Sequence, residues 1–457
     1  MNVLLVSPPS GFSYTSIGIR RPPLGLAYLA AVLKDHHNVQ VIDFTAEKRD
    51  WRRYPYCNFD IVGISVDTAR YNAALKIADR AKDMGATVVM GGPHVSFMDE
   101  ETLESGSVDY IVRNEGEFAF RSLVDYLSKD IPLEEVRGVS YRTNGKIHRT
   151  PLAPFIRDLD SIPFPARNLL PLERYNEKMN GRLTTTLVTS RGCPFNCTFC
   201  SSSQFFGVRW RARSAENVID EIELLYHTYG YRALSFVEDN FTLDPDRAVK
   251  ISEMIQRKRL DIIWGAWSRV DTIVRNPLMV KAMARAGFRW TFIGFESGSQ
   301  EVLDEYGKHA LTEDSIKAKE LLDRYGVGIT GSFIIGSLDE TKDMMKETID
   351  FAKRLNPCRV QFSILTPYPG TELFERVKNR LLTRNWGKYN GGEPTIKLDH
   401  VSPRDMRRLI VSAYYSFYGR PVKFVRNLPY LVRALPSVWK LLLSKLLFFR
   451  AYNSASW

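Results

Sequence analysis

Strand-like and helix-like segments alternate twice along this chain, and that repetition leaves few folds open. In residues 1–127, strands read at Val3–Val6, Val39–Phe44, Ile61–Val66, Thr87–Met90 and Val108–Val112, with helices at Leu24–Leu33, Tyr71–Met84 and Glu115–Tyr126. Pro22 and Pro23 suit the start of a helix, where a missing backbone N–H breaks no bond. This pattern predicts a doubly wound, Rossmann-like parallel sheet over residues 1–130, with ligands beyond the carboxyl ends of its strands. Residues 131–180 read as a linker, in which Asn144-Gly145 marks a hairpin between Val139–Tyr141 and Lys146–His148. The second alternation, residues 181–380, has strands at Thr184–Thr189, Leu234–Val237, Ile262–Ala266, Trp290–Gly294, Ile329–Ile335 and Val360–Leu365, separated by helices. Six βα units fall short of the eight in a closed barrel, so an open, partial (β/α)6 TIM-like barrel is expected. Residues 381–457 are expected to form a helical C-terminal region.

Five cysteines in 457 residues are too few for a disulfide framework, and three of them lie within eight residues. Cys193, Cys197 and Cys200 stand in a C-x3-C-x2-C spacing, while Cys57 and Cys358 stand alone. Tetrahedral zinc takes four ligands, and no fourth Cys or His lies within loop reach. A [4Fe–4S] cluster is usually held by four thiolates. Three thiolates leave one iron open to a small molecule.

With Phe199 before the last cysteine, this spacing resembles the signature of the radical S-adenosylmethionine (SAM) family. The resemblance implies that the open iron takes the amino and carboxylate groups of SAM. Later strand ends then align with family positions. Glu238 and Asp239 follow the second strand, where an acceptor would meet the SAM ammonium. Arg269 and Asp271 follow the third, and a guanidinium suits the SAM carboxylate; a surface salt bridge is an equal reading of that pair. Glu296 and Gly336 end the fourth and fifth strands, in Gly-Ser turns that also read as helix caps.

The first domain resembles the cobalamin-binding domain. That family's Asp-x-His-x-x-Gly loop is replaced here by Ser7-Pro8-Pro9-Ser10-Gly11, so the histidine ligand to cobalt is missing. Ser65 and the Gly91-Gly92 turn match, and small residues there leave a channel for the nucleotide tail. His94 and Glu115 are added as cobalamin-binding candidates. For His94 a polar contact to the tail, or a plain loop histidine, is preferred to cobalt ligation. Glu115 reads equally as a helix cap. Base-off cobalamin without a protein imidazole is the resulting expectation. No G-x-G-x-x-G or P-loop supports another nucleotide.

The net charge of +11 is local: Met406–Trp457 holds nine Lys/Arg, eleven aromatics and no Asp or Glu, leaving +2 for the rest. This tail reads equally as a capping layer and as a peripheral membrane contact, with nucleic acid not expected as a partner.

Together these features resemble the group containing the anaerobic magnesium-protoporphyrin monomethyl ester oxidative cyclase and the hopanoid methylases. The resemblance implies a cytoplasmic, cobalamin-dependent radical SAM enzyme. Reductive cleavage of SAM would give a 5′-deoxyadenosyl radical that activates a C–H bond of a small, apolar substrate. It also implies an external one-electron reductase of the flavodoxin or ferredoxin type. Methylation is the first reading. Oxidative cyclisation of a tetrapyrrole-like molecule, a radical SAM enzyme without cobalamin, and a non-enzymatic iron–sulfur protein stay open.

Overall fold

A computed structural model describes residues 1–9, 19–421 and 423 of the chain. The first sheet contains β1 (Asn2–Ser7), β2 (Asn38–Asp43), β3 (Ile61–Ser65), β4 (Thr87–Gly91), β5 (Tyr110–Val112), β6 (Val139–Thr143) and β7 (Lys146–Arg149). Its order is β2-β1-β3-β4-β5-β6-β7. The first five strands are parallel, and the order reverses direction beside β1, which places the topological switch between β1 and β3. Val3, Leu4, Leu5, Val6, Val88 and Met90 are buried because helices cover both faces, so these strands read as apolar runs.

The hairpin expected within a linker is part of this sheet: β6 pairs antiparallel with β5, and β7 with β6. The turn signal was legible, but the partner strand was not. The helix expected from Glu115 begins at Glu117, and two short helices, Pro93–Phe97 and Asp99–Glu104, went unread.

The second sheet holds β8 (Lys178–Met179), β9 (Arg182–Leu187), β12 (Ala233–Phe236), β13 (Ile263–Ser268), β14 (Phe288–Glu296), β15 (Gly328–Ile335) and β16 (Arg359–Ile364). A short antiparallel pair, β10 (Ser190–Arg191) with β11 (Arg211–Ala212), stands apart from it. The order β16-β15-β14-β13-β12-β9-β8 contains six parallel strands, the expected partial barrel, with β8 antiparallel at one edge. Side chains alternate along each strand. Trp264, Ala266, Ile293, Phe295, Phe333, Val360 and Phe362 point outward into the helices and are buried. The inward positions Ser235, Trp267, Trp290, Phe292, Thr330, Ile334, Gln361 and Ser363 are only partly buried. Inside the sheet, the Trp290 ring lies against Gly328 and the Glu296 carboxylate stands over Gly294.

β16 would be a bare edge, and the helix Pro403–Tyr418 seals it. Met406, Leu409, Ile410, Ala413 and Phe417 pack into the barrel core. Tyr414 and Tyr418, one turn apart, place their hydroxyls on the strand: each donates to a carbonyl, of Phe362 and Val360, and accepts from the same residue's N–H. The helical reading of the C-terminal region holds for this segment. The rest of the basic, aromatic tail lies outside the described residues. Among the described residues, no helix is long and apolar enough to cross a membrane.

Each tyrosine hydroxyl serves one edge donor and one edge acceptor. Tyr418→Phe and Tyr414→Phe are each expected to lower stability by about 1–2 kcal/mol in denaturant titration of the apoprotein. Variants as stable as the parent would show that water replaces the hydroxyls without cost.

Candidate functional site

The cysteine loop is an excursion from Gly192 to Trp210, pinned at its base by the β10–β11 pair. Gly192 opens it at φ 79°, and a Cβ there would stand 2.1 Å from the Arg209 carbonyl oxygen. Only glycine makes this turn directly before Cys193. A two-residue brace holds the middle: Thr198 donates its N–H to the Tyr306 carbonyl (3.0 Å), and Cys197 Sγ lies 3.8 Å from the Gly307 carbonyl. Phe199 meets the Tyr306 ring edge to face at 5.0 Å. The helix Ser201–Phe206 then carries the chain away.

All three cysteines are reduced. Burial pushes the Cys193 thiol up to about 11, and burial also raises Cys200. Cys200 lies within electrostatic reach of both Cys193 and Cys197, which gathers the three around one small volume. Among the described residues, no three ligating side chains converge on a single metal ion. In a cubane cluster each thiolate binds a different iron. The donor set fits a [4Fe–4S] cluster held by Cys193, Cys197 and Cys200, with the burial cost of the thiolates offset by the metal's charge.

The expected SAM residues divide. Asp239 faces the lumen, accepts from Ser202 Oγ (2.6 Å) and reaches both Cys193 and Cys200 electrostatically. Burial raises its carboxyl. Glu238 points the other way. It is buried against Thr189, which donates both its N–H and its hydroxyl, and burial raises its carboxyl too. Of the two, Asp239 is placed to meet a ligand ammonium; both follow the end of β12, in the turn that leads to Phe241.

Arg269 is no surface ion pair. It is buried, donating to Asp271 Oδ1 (3.0 Å) and the Lys308 carbonyl (2.6 Å), with its guanidinium 3.6 Å over the Phe195 ring. It thereby braces the loop between the first two cysteines. Glu296 sits at φ 65° on a bulge between β14 and β15, and its carboxylate accepts from Lys308 Nζ at 2.7 Å, both groups buried. Lys308 was not singled out from the sequence; it belongs to the same Glu305–Lys308 segment that grips the cysteine loop.

Gly336 donates its N–H to Glu340 Oε2 (2.6 Å), and Ser337 donates to the same oxygen (3.0 Å). Glu340 Oε1 is buried without a partner.

Beyond the carboxyl ends of the first sheet lies a cavity of about 290 Å3. Ser65, Gly63, Gly91 and Gly92 line it, and Phe205 and Phe206, from the helix behind the cysteine triad, line it too. Gly92 has φ 109°, and a Cβ there would stand 2.6 Å from the Val66 carbonyl oxygen. A floor of small residues at the strand ends fits a cobalamin nucleotide tail, so this chain's Ser65, Gly91 and Gly92 would hold that part of the group.

Two expected contacts play other parts. His94 does not line the cavity. It is buried, with Nδ1 3.2 Å from Thr68 Oγ1, and packs against Tyr71 and Trp386. Burial drives its imidazole down to about 3, so it is a neutral core histidine. Glu115 borders the cavity, but its carboxylate is taken by Arg191 (2.9 Å), Arg211 (2.8 Å) and the Ile156 N–H (2.9 Å). Arg191 also pairs with Glu117. Arg191 and Arg211 are β10 and β11 residues, so this buried network ties the cavity to the base of the cysteine loop.

Residues 187–352 match the radical SAM superfamily model, and residues 15–124 match the B12 binding domain. An uncharacterized methyltransferase of Pyrococcus horikoshii is 42% identical over 438 residues, which cover 94% of this chain and 95% of its own. The chain belongs to the cobalamin-binding radical SAM family. It is an enzyme whose cofactors are a [4Fe–4S] cluster, SAM and cobalamin, and its substrate is a small molecule. The anaerobic magnesium-protoporphyrin IX monomethyl ester cyclase of Rubrivivax gelatinosus is 29% identical, covering 92% of this chain and 77% of its own. The radical SAM methyltransferase TsrM of Kitasatospora setae, solved with cobalamin and a [4Fe–4S] cluster bound, shares the fold. Its TM-score is 0.71 at 18% identity, over 91% of this chain and 88% of that one.

Glu340 gives the site a pH signature. Burial raises its carboxyl from 4.5 to about 7. The native chain then keeps a proton that the unfolded chain releases, so stability falls as pH rises from about 4.5 to 7. Glu340→Gln removes the titration and keeps an acceptor for the two N–H groups. Its stability relative to the parent is expected to improve by roughly 2–3 kcal/mol across that interval in denaturant titration. Parallel pH profiles for the two proteins would refute the assignment.

Proposed function

We propose that the protein is a radical SAM methyltransferase that places a methyl group on an unactivated carbon of its substrate. One observation carries this reading: the glycine-floored cavity of the first domain opens onto the helix that follows the cysteine triad. When bound, the cluster and SAM supply a 5′-deoxyadenosyl radical, and cobalamin supplies a transferable methyl group. Around them the chain's own residues orient and shield. Asp239 offers an acceptor for an ammonium, and the Glu305–Lys308 segment fixes the loop. Phe205 and Phe206 exclude water between the two cofactor sites. The identity shared with the Pyrococcus methyltransferase supports methylation over cyclisation.

Anaerobic reconstitution should give one [4Fe–4S] cluster. Cys193→Ala, Cys197→Ala and Cys200→Ala should each lose it and lose 5′-deoxyadenosine formation, whereas Cys57→Ala and Cys358→Ala should keep both. Methyl-labelled SAM should leave label with the protein-bound cobalamin after gel filtration. Turnover of SAM without any label on the cobalamin fraction would remove methyl transfer from the reading.

Electron delivery is assigned to a flavodoxin- or ferredoxin-type protein, since the cluster must be reduced by one electron. The basic, aromatic tail is assigned to the membrane surface. Anionic lipid attracts about 1 kcal/mol per basic residue near the surface. A chain ending at Lys423 keeps the sealing helix, unlike one cut near Arg404, which would uncover Met406, Ile410 and Phe417. The shortened chain should stop floating with anionic vesicles while the full chain floats. If neither floats, the tail has no lipid role.

A further inference from the structure

Beyond its last barrel strand the chain turns back to the first domain. The helix Glu372–Val377 begins on the cysteine loop, where Leu373 donates its N–H to the Thr198 carbonyl (3.0 Å), between Cys197 and Cys200. Just before it, Gly370 has φ 84°, and a Cβ there would strike the Phe97 ring. Farther on, Trp386 is buried in the core of the first domain, together with Phe374 and Tyr389. Its indole Nε1 donates to Glu101 Oε1 (2.6 Å), and its ring meets the His94 ring at 5.0 Å with the planes 66° apart. Asn72 donates to Asn385 Oδ1 (2.7 Å) beside it. Residues 370–389 are thus a strap from the cysteine loop to the first domain.

The strap meets both ends of the short helix Pro93–Phe97, with Trp386 on His94 and Gly370 on Phe97. A helix of five residues makes too few internal hydrogen bonds to hold its own place. Its first turn hangs from one atom of the sheet end: Gly92 packs on the Val66 carbonyl oxygen, and the His94 N–H reaches the same oxygen at 3.4 Å. Gly92 and Pro93 line the cavity beyond the first sheet, so a shift of His94 moves that wall. We propose that Trp386 is a positioning residue for cobalamin: through His94 it fixes the Gly92-Pro93 wall, and through the strap it ties that wall to the loop that holds the cluster. His94, expected from the sequence to contact the cofactor, acts on it from behind. This tie uses none of the residues of the Arg191 network, and it does not depend on which reaction the enzyme performs.

Hydroxocobalamin binding to the cluster-reconstituted protein, measured by equilibrium dialysis, tests this. Trp386→Leu and His94→Leu are each expected to weaken binding roughly tenfold, and the double variant no more than either alone, because both act through one joint. Trp386→Phe keeps a ring against His94 and is expected to bind within about threefold of the parent. Iron content is expected to stay at the parental level in all four variants, because the bond from Leu373 to Thr198 is left in place. A general loss of fold would lower iron and cobalamin together. Should Trp386→Leu fail to fold, His94→Leu and Trp386→Phe decide the matter, since only the first should weaken binding. Parental affinity in either leucine variant, a double variant in which the two losses multiply, or iron lost in step with cobalamin would overturn the inference.

Discussion

Arg191 holds the two halves of this enzyme at a fixed spacing. Its guanidinium is buried between Glu115 and Glu117, at the start of a first-domain helix, while its backbone lies two residues before Cys193. A buried ion pair adds little net stability over an apolar substitute, but breaking one leaves an uncompensated charge and costs several kcal/mol. The network is thus better understood as a constraint on position. It lets the cysteine loop approach the first sheet at one register only. The cavity wall, the triad and the mouth of the barrel all inherit that register.

The second constraint works from the other side of the loop. The Tyr306 and Gly307 carbonyls meet Thr198 and Cys197, and the Lys308 carbonyl meets Arg269, which lies over Phe195. Three successive residues after one barrel helix therefore shape the loop before any iron arrives. A cluster that must keep one iron open benefits from such preorganisation, because the loop cannot collapse to supply a fourth ligand.

Much of this was legible in the sequence because strands, turns and thiol spacing are local signals. Both alternations, the six parallel strands and the cysteine triad could be read from periodicity and spacing. What failed was direction. Glu238 and Asp239 are adjacent, and nothing local says which faces the lumen until the turn that carries them is placed. His94 follows a Gly-Gly-Pro turn that belongs to the cavity, yet its ring is drawn into the core by Tyr71 and Trp386, and Trp386 lies far along the chain. Lys308, Arg191 and Arg211 were missed for a related reason. Each acts through a partner distant in sequence, and a single basic residue in a loop carries no signal of its own.

The sealed edge has a mechanical consequence. A closed barrel has its diameter fixed by strand number and stagger, so widening it would break backbone hydrogen bonds. Here the sheet ends at β16, and its last strand is fastened to a helix by two tyrosine hydroxyls and a strip of apolar side chains. The bore of the lumen is set by side chains rather than by closure. Evolution can therefore refit this chamber to a wider or narrower guest by exchanging residues on one helix, with the cofactor end left untouched.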